Sequence, residues 1–234
     1  MAKLYLIPNV LGETPWQQVL PATVPEVVAR LSVFYVEDLR NARRFLKKCV
    51  PTLEIDALRF YELTKETGER EAAGYLEPLL EGLDAGVISE AGCPGVADPG
   101  ALMVRLAHQH GIPVVPLVGP SSILLALMAS GFSGQHFTFH GYLPVKSAER
   151  IRKLLQLERT AATTGETQIF METPYRNNAL VADMLKYGQP GTPLCIAANI
   201  TTDQEMIHTQ SIAAWRKNPP DLNKQPAIFL LGCK

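Results

Sequence analysis

Residues 85–100 read AGVISEAGCPGVADPG, and ALMVRLAHQH follows directly. The opening AGVI is a continuous apolar run, as a strand covered on both faces of a parallel sheet requires. SEAGCPGVADPG at 89–100 then places three Gly and two Pro in twelve residues, a rigid loop whose backbone can approach a ligand closely. The next ten residues have helical periodicity, predicting a helix over 100–110. Strand, glycine loop and helix in that order form half of a βαβ unit, and ligands of α/β proteins sit at the carboxyl ends of such strands.

Working outward, the same alternation recurs. Apolar runs at 3–7, 33–36, 57–61, 86–89 and 113–117 predict strands, and 24–31, 39–48, 69–82 and 100–110 predict helices. This makes the first half α/β with a mostly parallel sheet. In the second half, strands are predicted at 137–141, 168–172, 194–198, 205–210 and 227–231. Helices are expected over 123–129, 147–162 and 174–187. The three closing strands have little helix between them, which predicts an antiparallel portion and so a mixed sheet. Ser121 or Ser122 is placed to cap the helix over 123–129, and Gly131 to end it. That helix is apolar nearly all round and is expected to be internal. The halves meet near 118–121, giving expected domains of 1–118 and 119–234.

Composition bounds the function. The chain has 234 residues, 47% of them hydrophobic and 19% charged, a globular balance. A formal charge of −1 supplies no global attraction to a polyanion, so nucleic-acid binding has to come from a local basic patch. Two are present: Arg40, Arg43, Arg44, Lys47 and Lys48, and Lys146, Arg150, Arg152 and Lys153. Cys49, Cys93, Cys195 and Cys233 form no C-x-x-C pair, which argues against a zinc ribbon or a disulfide framework and fits a reducing cytoplasm. MAKLYLIPNV lacks the h-region of a signal peptide and reads as a first strand. From Leu106 to Val145 forty residues pass without Asp, Glu, Lys or Arg. Pro113, Pro116 and Pro120 interrupt the stretch, and its cleanest apolar run, 123–132, is half the ~20 residues a span needs. No membrane partner is expected, and the stretch reads as interior shared by the two halves.

Several chemistries drop out. No two glycines are separated by a single residue and none precedes a Lys, so neither G-x-G-x-x-G nor a P-loop is present. H-E-x-x-H, G-x-S-x-G and S-x-x-K are absent too, which removes zinc and serine hydrolase readings. Three strand-to-helix loops remain: SEAGCPGVADPG, VGPSS at 118–122 and METPYR at 171–176. Together they suggest one elongated pocket with no obvious nucleophile.

These loops resemble the tetrapyrrole methylase superfamily, specifically the branch containing ribosomal RNA small subunit methyltransferase I. SEAGCPGVADPG is similar to S-D-A-G-T-P-x-x-S-D-P-G, and LYLIP, EDLRNARRFLK, GIPVVPLVGPSSILLALMASGF, FHGYLP, METPYR and PAIFLLG follow the family's order along most of the chain. The resemblance implies two α/β domains with S-adenosylmethionine in the cleft between them, a homodimer, and no metal. A sulfonium donor is already activated, so the protein has mainly to align donor and acceptor and exclude water.

Carried over by position, Pro8 lies at the first-strand loop, and Ala91, Gly92 and Cys93 pass along the methionine part. Val96 and Asp98 sit where the loop closes, Ser121 and Ser122 form the small-residue pair, and Tyr175, Ala198, Pro226 and Ala227 hold the adenosine. No catalytic group is assigned; Glu37, Asp38, Glu90 and Asp98 are the acids near the expected pocket. The acceptor side departs from the ribosomal RNA branch. T-P-I-G-N-L-x-D is replaced by PNVLGETPWQQVLP, Glu90 stands for Asp, Cys93 for Thr, Tyr175 for His, and ANITT for R-E-L-T-K; the branch's carboxyl-terminal extension is absent. The reading is therefore methylation of a ribose hydroxyl of small-subunit ribosomal RNA. A tetrapyrrole or other small-molecule methylase and a cofactor-binding protein without turnover are the alternatives.

Overall fold

A computed structural model describes residues 2–233. The chain divides into two compact units, Met1–Ser121 and Ser122–Lys234, described separately.

The first unit is built on a five-stranded sheet of order β3-β2-β4-β1-β5, every pairing parallel. The strands are β1 (Leu4–Ile7), β2 (Val33–Val36), β3 (Arg59–Glu62), β4 (Ala85–Ile88) and β5 (Val114–Pro116). Because successive side chains alternate faces, the central strands feed two cores. Leu4, Val33, Tyr35, Ala85 and Val87 join one, with Ala72, Leu76, Met103 and Leu106. Tyr5, Ile7, Phe34, Val36 and Ile88 join the other, with Val24, Val28, Phe45 and Leu46. Burial on both faces explains why these strands are uninterrupted apolar runs.

The helices follow from that division. α1 (Thr23–Val28) and α2 (Leu39–Cys49) supply the second core. α3 (Glu69–Gly74), α4 (Glu77–Leu80) and α5 (Gly100–Gln109) supply the first. The chain leaving β4 therefore crosses to the opposite face from the chains leaving its neighbours β1 and β2. Divergent exits beside one strand open a crevice beyond the strand ends.

The second unit carries β6 (Phe137–Tyr142), β7 (Thr167–Met171), β8 (Pro193–Ala198), β9 (Met206–Ser211) and β10 (Ala227–Leu231), in the order β6-β7-β10-β8-β9. β6 and β7 are parallel and the other three pairings antiparallel, so the sheet is mixed. α7 (Ser147–Thr164), α8 (Asn177–Tyr187) and α9 (Ile212–Lys217) pack on one face around Phe170, Phe229, Leu194 and Trp215. A buried ion pair, Arg150 Nη2 to Asp183 Oδ2 at 2.6 Å, joins α7 to α8. α6 (Ser122–Ser130) lies against β9 and β10, and Thr209 Oγ1 donates to the carbonyl of Ser130 at 2.8 Å.

Three expectations are corrected. The helix predicted over 69–82 breaks into α3 and α4 at Tyr75 and Leu76, whose backbone stays in the helical region; Pro78, in the first turn of the new helix, has no N–H to bond back to the turn before it. A helix not foreseen, α9, lies between β9 and β10, capped by the hydroxyl of Ser211 accepting from Ala214 N–H. Finally, α6 is not internal: Ala126 and Leu127 are buried, but Leu124 is 50% and Met128 77% exposed. The charge-free stretch also leaves Val118, Phe137, Tyr142 and Val145 exposed. It is an apolar surface more than an interior. Among the described residues no helix is long and apolar enough to cross a membrane.

Candidate functional site

The crevice at the ends of β1, β2 and β4 is where the glycine loop lies. Asn9, just past β1, and Gly92 exchange backbone hydrogen bonds at 2.9 and 3.2 Å. The side-chain amide of Asn9 donates to the carbonyls of Ser89 and Glu90 at 3.1 and 3.0 Å. The loop is thus laced to the first strand by a single buried Asn, a residue that the sequence reading passed over. Its only signal was position, directly after Pro8.

The segment after β5, the strand beside β1, joins the crevice through small residues. Gly119 has no Cβ, and one built there would lie 2.1 Å from Pro8 Cβ. The Cys93 thiol is directed at the Pro120 carbonyl, Sγ to O 3.4 Å, and burial pushes its pKa up, so it is a weak donor and no ready nucleophile. Gly92 has φ +71°, and a Cβ there would meet Leu11 Cδ2 at 3.0 Å. The structure therefore brings Pro8, Gly92 and Cys93 together beside residues 119–120, with Ala91 exposed on the rim. Ser121 ends the first unit, and Ser122 opens α6.

The acids sort by what already occupies them. Asp98 accepts from Gly95 N–H at 2.9 Å and Gly100 N–H at 2.7 Å, tying the loop to the start of α5; its pKa is raised, burial outweighing these bonds. Val96 is exposed on the tip of this turn. Asp38 caps α2, accepting from Asn41 N–H at 2.6 Å. Glu37 is half-buried and accepts from Glu90 N–H at 3.3 Å. Burial lifts its pKa, the Glu90 hydrogen bond opposes this, and the charges of Glu90 and Asp98 add to it. Glu90 is exposed at the mouth.

In the second unit the remaining candidates form their own cluster. Ala198 and Ala227 are paired across β8 and β10, and Asn199 N–H donates to the Pro226 carbonyl at 3.0 Å. Lys224 N–H donates to the Pro174 carbonyl at 3.1 Å, so the METPYR loop adjoins these strand ends. Tyr175 is 76% exposed. Beneath it, the fully buried carboxylate of Glu172 holds Arg176 Nη2 at 2.5 Å. Among the described residues no group of three or more His, Cys, Asp or Glu is placed to hold a metal ion.

Comparison with known proteins adds independent findings. A family model described as tetrapyrrole (corrin/porphyrin) methylases matches residues 20–214. A ribosomal RNA small subunit methyltransferase I of Micromonospora olivasterospora is 36% identical over 204 residues, 86% of this chain and 60% of that protein. Another, of Vibrio cholerae, is 31% identical over 233 residues, 97% of this chain and 76% of that protein. The chain thus spans less than two thirds of the first of these relatives. Among solved structures, the methyltransferase CobJ matches with a TM-score of 0.64 at 19% identity, covering 100% of this chain and 95% of the other. A uroporphyrin III C-methyl transferase from Thermus thermophilus matches with a TM-score of 0.58 at 19% identity, covering 99% and 97%. These two likenesses speak for the fold.

Proposed function

Because this chain belongs to the tetrapyrrole (corrin/porphyrin) methylase family, we propose that it is an S-adenosylmethionine-dependent methyltransferase whose acceptor is a ribose hydroxyl of small-subunit ribosomal RNA. The observation that carries the reading is the crevice at the ends of β1, β2 and β4. There Asn9 fixes the glycine loop, and Gly92 and Gly119 let backbone approach closely. The acceptor class comes from the two ribosomal RNA methyltransferases I, the more similar in sequence of the relatives described.

The residues present suit the cofactor. It carries an ammonium and a sulfonium, and Glu37, Glu90 and Asp98 form a group of carboxylates whose charges act on Glu37. Ala91, Gly92 and Cys93 offer backbone groups with little side-chain bulk for the methionine part. In the second unit, Ala198, Pro226, Ala227 and Tyr175 are the positions that the family resemblance gives to the adenosine. When bound, the cofactor supplies an electrophilic methyl group. The chain's work is then to orient the acceptor oxygen in line with that methyl and keep water out. The proton leaving the acceptor hydroxyl passes to a carboxylate. Glu37, whose carboxyl pKa burial pushes above its ordinary value, is the carboxylate proposed to take it.

A homodimer in the cytoplasm goes with this reading. The exposed Leu124 and Met128 stand at i and i+4 on one face of α6, an apolar surface of the kind that subunit contacts cover. The four cysteines are free thiols, as in a reducing compartment.

The test is transfer of label from radiolabelled S-adenosylmethionine to small ribosomal subunits from a strain lacking the modification. Label in a 2′-O-methylated nucleotide is the expected result. Transfer to a tetrapyrrole instead, or to neither acceptor, sinks the RNA assignment.

A further inference from the structure

The five cations of α2 are not one basic face. Arg43 is paired with Asp56, and Lys47 Nζ donates to the Leu53 carbonyl at 3.0 Å; both hold the loop that follows the helix. Arg44 and Lys48 are exposed, and among the described residues their side chains take part in no ion pair or hydrogen bond. Together with Asn41 they line a pocket of about 710 Å³, within the size range of small-ligand sites. Positions 41, 44, 45 and 48 make one stripe of the helix. The opposite wall is the segment after β1, residues 9–17, which includes Glu13 and the half-buried Trp16. Trp16 Nε1 donates to the Lys48 carbonyl at 3.1 Å, which fastens the indole to the cationic helix. The third wall is Glu90 and Ala91 of the glycine loop itself.

Position and charge together say what fits. The pocket shares Glu90 and Ala91 with the loop proposed to hold the cofactor, so an acceptor seated in it has its reacting atom beside that loop. Two cations face two carboxylates across the lining. A ring bearing many carboxylates would meet Glu13 and Glu90 with like charge. A single nucleotide brings one phosphodiester for Arg44 and Lys48, hydroxyl and amino donors for the two acids, and a base to stack on an indole.

We propose that this pocket, lined by Arg44, Lys48, Asn41 and Trp16, is the acceptor subsite, which takes an unpaired ribonucleotide of the RNA with its phosphodiester on Arg44 and Lys48 and its base against Trp16. The proposal rests on the RNA reading above and adds the residues that read the acceptor.

Binding of a short single-stranded oligoribonucleotide is measured across a range of salt concentrations. Methyl transfer to small ribosomal subunits is measured in parallel. Arg44→Gln and Lys48→Gln are each expected to weaken binding about tenfold at low salt. Each also reduces the slope of log K against log salt, the double variant by about 0.7, one phosphate contact on a single strand, and each raises KM for subunits with kcat little changed. Trp16 fluorescence is quenched on binding, and Trp16→Phe loses that quench; Trp215, buried at 4% exposure, does not report. The pair Arg152→Gln and Lys153→Gln on α7 keeps the parent's slope. Equal slopes and KM values in the α2 variants and the parent overturn the subsite, as does an equal loss in the α7 pair. If the parent binds the oligonucleotide through these two cations but transfers no methyl to RNA, the RNA methylation reading fails while the subsite stands as an RNA site. If the parent neither binds nor methylates RNA, both fall.

Discussion

Gly119 lies against Pro8 so closely that a Cβ on it would stand 2.1 Å from Pro8 Cβ and 2.4 Å from Pro8 Cγ. The pyrrolidine ring cannot rotate aside, so any side chain at 119 must push the ends of β1 and β5 apart. Gly119→Ala is expected to cost at least the ~1–3 kcal/mol typical of overpacking. It also weakens S-adenosylmethionine binding, because the glycine loop is laced to Asn9, the next residue. Gly134→Ala, where a Cβ would meet nothing within 4 Å, serves as the comparison and leaves stability within about 1 kcal/mol of the parent. Urea denaturation midpoints of the two variants check this. Equal midpoints would mean that the contact between Gly119 and Pro8 carries no constraint.

Glu37 predicts opposite effects on stability and activity. Its pKa is raised, chiefly by burial, so its charged form is disfavoured in the folded protein. A raised carboxyl contributes most below the unfolded value of about 4.3, and that contribution is lost as pH rises through the folded pKa. Glu37→Gln keeps an oxygen for Glu90 N–H and removes the charge. The variant is therefore expected to be more stable than the parent at neutral pH, with the difference shrinking as pH falls through the raised folded value and gone below about 4. If Glu37 takes the acceptor proton, the same variant loses about 10²–10⁴ in rate with the cofactor at saturation. Stability against pH and single-turnover rates decide the two halves separately.

The ion pair under the METPYR loop gives a third prediction. Glu172 has no exposed side-chain surface, and Arg176 has 36%. Removing the cation leaves a buried carboxylate without its partner, which costs about 3–5 kcal/mol in comparable cases. Arg176→Met is expected to lower stability by that order. Adding Glu172→Gln to it returns a substantial part, since the charge that needed a partner is gone. A double-mutant cycle in urea measures the coupling. Additive losses would show that the pair is not what fixes the loop carrying Tyr175.

Much of this architecture was legible in the sequence because the physics was local. β1, β2 and β4 are continuous apolar runs, which only strands buried on both faces require, and the glycine loop announces itself by three Gly and two Pro in twelve residues. What was illegible depended on long-range geometry. Arg43 and Lys47 differ from Arg44 and Lys48 by one residue each, yet they turn to another loop, and only the placement of Asp56 and Leu53 reveals it. Asn9 reads as an ordinary turn residue until Ser89 and Glu90 are brought beside it, eighty residues on. The same limit explains α6: an apolar helix is buried by something, and sequence periodicity does not say whether its own chain supplies the cover.

That surface of α6 gives the last prediction. Leu124 and Met128 are 50% and 77% exposed and lie one helical turn apart, while Ala126 and Leu127 hold the helix to its own sheet. Placing charge at the outer positions leaves the inner contacts intact. Leu124→Glu with Met128→Glu is therefore expected to unfold at nearly the same temperature as the parent when both are dilute. If a second copy covers this face, the parent sediments as a dimer and the variant as a monomer, because desolvating two carboxylates in an apolar contact is strongly unfavourable. The parent's melting temperature then rises with protein concentration and the variant's does not, as mass action requires of subunits that stabilise one another. A parent that sediments as a monomer across the micromolar range overturns the homodimer and leaves α6 as a face for a different partner.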